Sequence, residues 1–494
     1  MLGKAAISIG LILAYFVINA IIIKAMGRRQ ENLEDYAVGN RSFGWLLNSF
    51  SYIGGWYCGT TYTGWFSNAA TIGVFAQYVI IYSITSLVIM FLMAKPVWRL
   101  GKIYGLETQG DLVELRYGSK KFKWIFSLLT MLFWAPWLII EIKTIGYVVQ
   151  AATYYSIGFN VGMIFVSLFV IAYSFLGGAR ASAVGGLVQG ITFTIVGVIA
   201  IYWLLVKAYG GIGDEFNLVE TLKPELLTLQ EGLNGKYWFG MLLTCTLAGY
   251  ILPGVFVSIY RADSSRAVKK SVLIAPTAGI LIGSSILICG LGAATFPNFP
   301  EDAQAGAFWL GGEYGGPVMV GLIGILALAA SMSTISAVIN CMSVLISKDL
   351  IQTVNPKINR DKLFKYARVI TIGAGIVAIL IAMCDIPNLM FIALMMYDCS
   401  IQAFPAVFIG LWWKRANLPG VFTGFCIGSF FSIMGNLAPS TIAWAGGWSG
   451  GMIGFFFNML AVVICGLLIK PDGRWDKLTA EWKNYKEDYS SKLI

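Results

Sequence analysis

The feature that most constrains this chain is a series of long apolar segments that continues almost from its first residue to its last. Each segment is close to the roughly 20 residues that an α-helix needs to cross a bilayer. The thirteen segments lie at about 5–25, 44–68, 72–94, 124–152, 161–178, 183–206, 237–260, 271–296, 316–347, 369–384, 388–413, 417–438 and 449–469. Only 12% of the residues are charged, whereas soluble domains carry about 25%. The sequence therefore predicts an all-α polytopic membrane protein with about 13 transmembrane helices.

The Lys and Arg residues predict the orientation of these helices. The loops after every odd-numbered segment up to the eleventh, together with the C-terminal tail, hold most of the 35 basic residues. Two of the opposite loops, 208–236 and 297–315, are rich in Asp and Glu. Positive residues in short loops remain in the cytoplasm, so we expect an external N-terminus and a cytoplasmic C-terminus.

Several function classes are disfavoured by residue types. The chain has no histidine, which excludes imidazole metal ligands and histidine acid–base chemistry. Its eight cysteines are isolated from one another, so neither a disulfide framework nor a zinc site is indicated. The net charge of +10 is spread over alternate loops, which argues against a nucleic-acid partner. We expect no enzyme activity and no organic cofactor.

Two predicted helices contain polar or glycine-rich interruptions, at 51–61 and 249–254. A membrane helix tolerates unwound backbone only where protein or an aqueous cavity supplies hydrogen-bond partners. The two interruptions are five helices apart, which is the arrangement of inverted-repeat transporters with discontinuous helices at the membrane midplane. The alternative is that Gly and Pro are simply common in membrane helices.

The ninth predicted helix adds a dense group of hydroxyls in the segment 329–336. Sodium prefers oxygen ligands, and Ser or Thr hydroxyls together with carbonyls freed at a helix break supply them. Ala330 lies on the same helix face as Ser333 and Thr334. Alternatively, these hydroxyls bond to carbonyls of their own helix or join neighbouring helices.

Three motifs carry a family resemblance: 35–44 before the first interruption, Gly177-Gly178 with Gln189 downstream, and 330–334 leading to 347–350. On these motifs the chain resembles the sodium:solute symporter family. The resemblance implies a LeuT-type fold of five plus five helices in an inverted repeat. The implied division is an extra helix and basic loop at 1–43, repeats at 44–207 and 237–413, an external loop at 208–236, two extra helices at 414–470 and a cytoplasmic tail at 471–494.

The resemblance also implies site residues. It makes the carbonyls of Gly54, Tyr57 and Ala330 and the hydroxyls of Ser333 and Thr334 sodium ligands. Where many family members carry a Thr-Asp pair that supports sodium, this chain has Gly185-Gly186.

We expect solute contacts from residues near the two interruptions and from the fourth predicted helix. The resemblance places Tyr250 beside the solute, and a basic residue in one branch of the family corresponds to Lys143. The full set of candidate solute contacts is Trp56, Cys58, Thr61, Lys143 and Tyr250.

Buried ionisable residues in membrane helices are costly and are therefore functional candidates. Glu141 and Asp398 are candidates for proton transfer or gating. Alternatively, Asp398 is a buried carboxylate bonded to nearby hydroxyls and amides, and Lys143 is bonded by Glu141, backbone or a polar loop.

These observations predict a secondary transporter in the cell membrane, of bacterial or archaeal type, that couples sodium to the uptake of a small organic solute. An amino acid, a monocarboxylate or a betaine-like solute fits better than a sugar, because the predicted pocket is aromatic and poor in polar groups. The alternative is a sodium-independent carrier, proton-coupled or facilitative, or a sensor of the same fold.

Overall fold

The computed structural model of the protein describes residues 2–26, 30–229, 235–384 and 389–487. All regular elements within these ranges are helical. The helices of the first half are α1 (Leu2–Met26), α2 (Leu33–Val38), α3 (Trp45–Trp56), α4 (Phe66–Ile72), α5 (Tyr78–Tyr104), α6 (Gln109–Tyr117), α7 (Lys120–Ala152), α8 (Phe159–Ile191), α9 (Gly197–Tyr209) and α10 (Ile212–Leu222).

The second half contains α11 (Gly235–Gly249), α12 (Pro253–Arg261), α13 (Ser265–Ala293), α14 (Gly306–Val344), α15 (Gln352–Val354), α16 (Arg360–Ala382), α17 (Leu389–Ser400), α18 (Gly410–Trp412), α19 (Leu418–Leu437), α20 (Gly450–Leu468) and α21 (Arg474–Asn484). Each of the thirteen apolar segments overlaps at least one of these helices.

The described residues form eleven continuous helical spans that are long and apolar enough to cross a membrane, rather than thirteen. Two of them, Thr61–Tyr104 and Phe159–Tyr209, are 44 and 51 residues long. At 1.5 Å per residue, both exceed the roughly 30 Å of a hydrocarbon core by a wide margin. The span Phe159–Tyr209 contains the predicted segments 161–178 and 183–206, and the span Thr61–Tyr104 contains the segment 72–94 and the end of 44–68. The number of thirteen crossings and the orientation remain predictions.

Glycines explain why neighbouring segments join without a loop. Gly178 adopts φ +47° inside α8, and Gly73 adopts φ +57° between α4 and α5. A left-handed backbone angle is accessible to glycine at little cost, so the chain changes direction at a single residue. Gly316 plays the same part in α14, with φ +64° just before Pro317.

Helix α14 lies at the centre of the bundle. It packs against α1, α3, α7, α8, α9 and α16, and its apolar span is the most buried of the eleven, while that of α1 is the least buried. The hydroxyl-rich segment of α14 therefore faces other helices on all sides.

The start of the first interrupted helix is hydrogen-bonded to the end of the second. The Phe43 N–H donates to the Arg261 carbonyl at 3.1 Å, and the Asp263 N–H donates to the Phe43 carbonyl at 2.9 Å. These bonds join the start of α3 to the end of α12. The segment after α20 also packs onto the bundle, since the Trp475 indole donates to the Leu411 carbonyl at 2.9 Å.

The loop between α9 and α11 contains a buried carboxylate. Glu215 of α10 has no exposed surface. One of its oxygens accepts the Gly292 N–H at 2.9 Å, and the other has no hydrogen-bond partner among the described residues. Burial raises the pKa of Glu215 to about 8, although the Gly292 bond acts in the opposite direction.

Replacing Glu215 by glutamine should flatten the pH dependence of stability. Since the folded-state pKa lies above the unfolded value, the folded protein binds the extra proton, and the free energy of unfolding falls as pH rises from about 4.5 towards 8. Each pKa unit corresponds to about 1.4 kcal/mol. We expect the apparent Tm of the wild type in detergent to fall across this window, and that of Glu215→Gln to fall less.

The matched control for this experiment is Glu220→Gln, on the exposed side of the same helix. It should retain the wild-type pH profile. Parallel profiles for Glu215→Gln and the wild type would contradict the prediction.

Candidate functional site

The first interrupted helix breaks within the bundle. Helix α3 ends at Trp56, and a π-helical turn, Thr61–Trp65, leads into α4. Tyr57 between them has extended backbone angles, φ −85° and ψ 119°. Because a helix end leaves N–H and C=O groups without partners, the break needs other elements to supply them.

Helix α14 approaches the break closely at Gly59. A Cβ atom at this position would lie 1.9 Å from the Ser331 Oγ and 2.9 Å from the Ala327 carbonyl oxygen. No side chain fits in this space, so glycine is required for the contact between the broken helix and α14.

Glu141 of α7 supplies the missing partners at the break. Its Oε2 accepts the Gly59 N–H at 2.9 Å and the Ser331 hydroxyl at 2.7 Å, and its Oε1 accepts the Thr60 hydroxyl. The Glu141 side chain has no exposed surface. This carboxylate joins three elements: the broken helix, α7 and α14.

Four of the five predicted sodium ligands lie together beside the same break. The Ser333 hydroxyl donates to the Gly54 carbonyl and, at 2.8 Å, to the Ala330 carbonyl. The Thr334 hydroxyl also reaches the Gly54 carbonyl, at 3.3 Å. Two hydroxyls of α14 therefore converge with two carbonyls, one from each helix, and all four oxygen-bearing groups are neutral.

The fifth predicted ligand, Tyr57, lies at the C-terminal end of α3. Its side chain is directed to α13, where a Cβ at Gly279 would lie 1.8 Å from the Tyr57 hydroxyl. Neither Ser333 nor Thr334 has a hydrogen bond to Tyr57 among the residues that the structure describes.

The candidate solute residues Trp56, Cys58 and Thr61 are all buried at the break. The Trp56 indole donates to the Ser83 hydroxyl at 3.3 Å. The Cys58 N–H donates to the Thr61 hydroxyl at 3.3 Å.

The second interruption adjoins the first. Tyr250 lies between α11 and α12, and its buried hydroxyl has no hydrogen-bond partner among the described residues. The preceding residue, Gly249, packs against the Trp56 ring: a Cβ there would lie 2.5 Å from it. The structure therefore brings the two interruptions side by side.

A small cavity of about 110 Å³ extends from the break. Thr60 and Trp65 line it from the broken helix, Trp137 from α7 and Gln304 from the segment before α14. Further lining residues are Gly64, Ser67, Asn68, Tyr78, Val79, Tyr82, Ala393, Leu394 and Tyr397. The walls are aromatic with a few neutral polar groups, and none of these lining residues is charged.

Comparison with known proteins identifies the family. The model of the sodium:solute symporter family matches residues 36–428. The chain belongs to this family. Its fold and its family are those of membrane transporters that move small solutes.

Individual relatives agree with this assignment. A sodium/pantothenate symporter of Escherichia coli is 24% identical, over 84% of this chain and 88% of its own. A monocarboxylate transport permease protein of Rhizobium johnstonii is 23% identical, over 89% and 90%. Among solved structures, a Na⁺-coupled sialic acid symporter in a substrate-bound outward-open state matches with a TM-score of 0.78 at 18% identity, covering 95% of this chain and 98% of its own.

At Gly186 of α8 the backbone itself contacts the broken helix. A Cβ at Gly54 would lie 3.1 Å from the Gly186 Cα, and a Cβ at Gly186 would lie 3.3 Å from the Ser51 Cα. The two helices pack too closely here for a carboxylate to be added freely. The carboxylate that lies at the break is that of Glu141 of α7.

The other predicted ionisable residues lie in different surroundings. The Lys143 ammonium donates to the Cys384 carbonyl at 3.1 Å. Lys143 is therefore bonded to backbone, as in the alternative to a solute contact. Asp398 accepts the Ser449 hydroxyl at 2.9 Å and a weaker bond from the Asn436 amide at 3.4 Å. Asp398 therefore connects α17 to the two extra C-terminal helices. These contacts fit a buried, hydrogen-bonded carboxylate, which is the alternative to a role in proton transfer or gating.

Thr60 and Ser331 are contacts of Glu141 that the sequence-based list of site residues omits. Both lie within segments that the sequence singles out, 51–61 and 329–336. A buried acid needs hydrogen-bond donors, and nearby hydroxyls can supply them. The sequence does not show which hydroxyls these are, because that depends on how α7 packs against the two segments.

A buried ion-pair cluster links three elements at the predicted cytoplasmic end of the bundle. Lys123 of α7 lies 2.7 Å from Asp111 of α6 and 3.6 Å from Asp349, and Lys348 lies 2.8 Å from Asp111. Asp349 also accepts the Thr108 hydroxyl at 2.8 Å. Burial disfavours the charge of Asp111, but Lys348 and Lys123 outweigh this effect and hold its pKa below the ordinary value.

Proposed function

We propose that this protein couples the entry of sodium to the uptake of a small organic solute by alternating access. The observation that carries the proposal is the convergence of the Ser333 and Thr334 hydroxyls on the Gly54 carbonyl, beside the Ala330 carbonyl. These are neutral oxygen ligands at a helix break, which is the chemistry that sodium takes in discontinuous-helix transporters.

The proposed ion would be held by the same oxygens that now form hydrogen bonds with one another. Ser333 and Thr334 would turn their lone pairs to the cation, and the carbonyls of Gly54 and Ala330 would complete the set, with Tyr57 as a fifth ligand. Because the ligands belong to both α3 and α14, binding of the ion would stabilise the state in which these helices are in contact.

The solute would occupy the cavity beside the break, in contact with Thr60 and Trp65 of the first interrupted helix and with Trp137 of α7. The candidate solute residues from the sequence, Trp56, Cys58, Thr61, Lys143 and Tyr250, do not line this cavity. Its aromatic walls favour a small solute with an apolar body over a sugar with many hydroxyls. The named relatives transport pantothenate or monocarboxylates, and both compounds belong in the first substrate panel. A bacterial inner membrane is the proposed location, since the relatives that match are bacterial.

The second candidate function is proton-coupled transport without sodium. Glu141 favours it, because a fully buried carboxylate that accepts from Gly59, Thr60 and Ser331 forms no ion pair with the Lys and Arg residues in the described part of the chain. Protonation would remove the charge that attracts these donors and so weaken their bonds to the carboxyl group. Asp398 is the other proton candidate.

Uptake into proteoliposomes separates these functions. Radiolabelled pantothenate, pyruvate, proline and glycine betaine would be offered with an inward sodium gradient, an inward proton gradient or neither. We expect accumulation of at least one solute with the sodium gradient alone. Accumulation driven only by the proton gradient would support the second candidate, and equilibration without a gradient would indicate a facilitative carrier.

A further inference from the structure

We propose that the aromatic cavity binds the ammonium group of a cationic or zwitterionic solute, with Glu141 as the counter-charge. The inference rests on the proposed function, since it concerns the solute of the same transporter. It narrows the substrate class to compounds that carry a positive nitrogen, such as an amino acid or a betaine, and excludes monocarboxylates without one.

The first step is the charge at the break. Buried charges in proteins are usually paired or neutralised, because their removal from water is costly. The partners of Glu141 are one backbone N–H, two hydroxyls and the thiol of Cys58, and none carries a full charge. The closest cationic residue along the chain, Lys143, bonds to the Cys384 carbonyl instead.

The second step is the position of Glu141 at the break. Discontinuous helices commonly use the free N–H groups at the start of a half-helix to hold an anionic group of the substrate. Here the Gly59 N–H already donates to Glu141. An anionic solute group placed there would have to displace this carboxylate or lie beside its charge.

The third step is the lining of the cavity. Trp65 and Trp137 face it together with Tyr78, Tyr82 and Tyr397. The Tyr82 and Tyr397 hydroxyls lie 3.2 Å apart, and the Trp137 and Tyr397 rings meet edge to face at 6.3 Å between centroids. Several aromatic rings around one space attract a quaternary or primary ammonium through cation–π contacts.

Thr60 connects the cavity to the charge. It lines the cavity, and its hydroxyl donates to Glu141. A cation in the cavity would therefore lie one side chain away from the carboxylate, in surroundings of low polarity where an electrostatic attraction is stronger than in water. An anion in the same position would be repelled by it.

The test uses two probes of the same shape that differ in charge, choline and 3,3-dimethylbutan-1-ol, with pivalate as the anionic member. Binding to the purified full-length protein in detergent would be followed by tryptophan fluorescence and by thermal stability, in the presence of sodium. We expect choline to bind at least tenfold more tightly than the neutral alcohol, and pivalate to bind most weakly. Equal binding of choline and the alcohol, or tighter binding of pivalate, would overturn the proposal.

Two variants refine the test, and the comparison of probes on the wild type stands even where a variant fails to fold. Glu141→Gln should reduce the preference for choline over the alcohol to less than threefold, and Trp137→Leu should weaken choline more than the alcohol. A full preference retained in folded Glu141→Gln would refute the assigned counter-charge. Repeating the wild-type titration in potassium distinguishes failure of this proposal from failure of sodium coupling. Selective choline binding that is the same in sodium and potassium would support the cation site and contradict sodium coupling. A sodium-dependent Tm without a preference for choline would support sodium coupling and contradict the cation site.

Discussion

Replacing Glu141 by alanine should abolish solute uptake and strongly lower thermal stability. The change leaves the Gly59 N–H and the hydroxyls of Thr60 and Ser331 without their acceptor in a buried site. Each unsatisfied buried group costs about 1–3 kcal/mol, although water that enters the space left by the side chain would recover part of it. Most destabilising single substitutions lower the free energy of unfolding by about 0.5–3 kcal/mol. We expect a larger loss here, measured as a large drop in apparent Tm.

Glu141→Gln separates the charge from the hydrogen bonds. The glutamine oxygen still accepts bonds at the break, so stability should recover in part, while uptake should remain impaired if the charge itself is needed. Both variants would be compared with the wild type for Tm in detergent and for uptake in proteoliposomes. An alanine variant with wild-type Tm would contradict the place of Glu141 in holding the break together.

Removing the two hydroxyls of Ser333 and Thr334 should raise the sodium concentration for half-maximal uptake at least tenfold. Each Ala substitution deletes one of the neutral oxygen ligands that surround the Gly54 carbonyl. Neither side chain lines the described cavity, so the loss should appear in the sodium dependence more than in the affinity for solute. Initial uptake rates measured across a sodium series would show the effect.

Two variants of the same helix make this experiment specific. Thr334→Ser keeps the hydroxyl and should retain most of the sodium dependence. Ser336→Ala deletes a buried hydroxyl of α14 that does not bond to the Gly54 or Ala330 carbonyl, and it should behave as the wild type. An unchanged sodium dependence in the Ser333→Ala, Thr334→Ala double variant would remove these hydroxyls from the ion site.

The sequence allowed much of the ion-site candidate to be predicted. The interruption near Gly54 and the hydroxyl-rich segment around Ser333 both depart from the apolar pattern of membrane helices. Each can therefore be detected from the sequence alone. That the two segments meet follows from the family resemblance, and the structure brings Gly54, Ala330, Ser333 and Thr334 together. The predicted boundaries between 44–68 and 72–94 and between 161–178 and 183–206 lie close to Gly73 and Gly178, where the chain turns without a polar loop. The number of thirteen crossings remains a prediction.

The surroundings of the charged residues were less predictable. Glu141 was a candidate because it is an acid within a membrane helix, but its partners Gly59 and Ser331 come from distant parts of the chain. Asp398 showed the same sequence signal, yet its contacts are with Ser449 and Asn436 of the extra helices. A buried acid in a sequence indicates that a partner exists, whereas the identity of that partner depends on how the helices pack.

The most direct test of sodium coupling is the thermal stability of the purified protein across a sodium titration at constant ionic strength, with potassium as the replacement. A ligand that binds only the folded state stabilises it by about 2.7 kcal/mol at roughly 100 times its Kd. We predict a saturable, sodium-specific rise in Tm that is lost in the Ser333→Ala, Thr334→Ala double variant. The same Tm in sodium and potassium at every concentration would contradict a sodium site at the break.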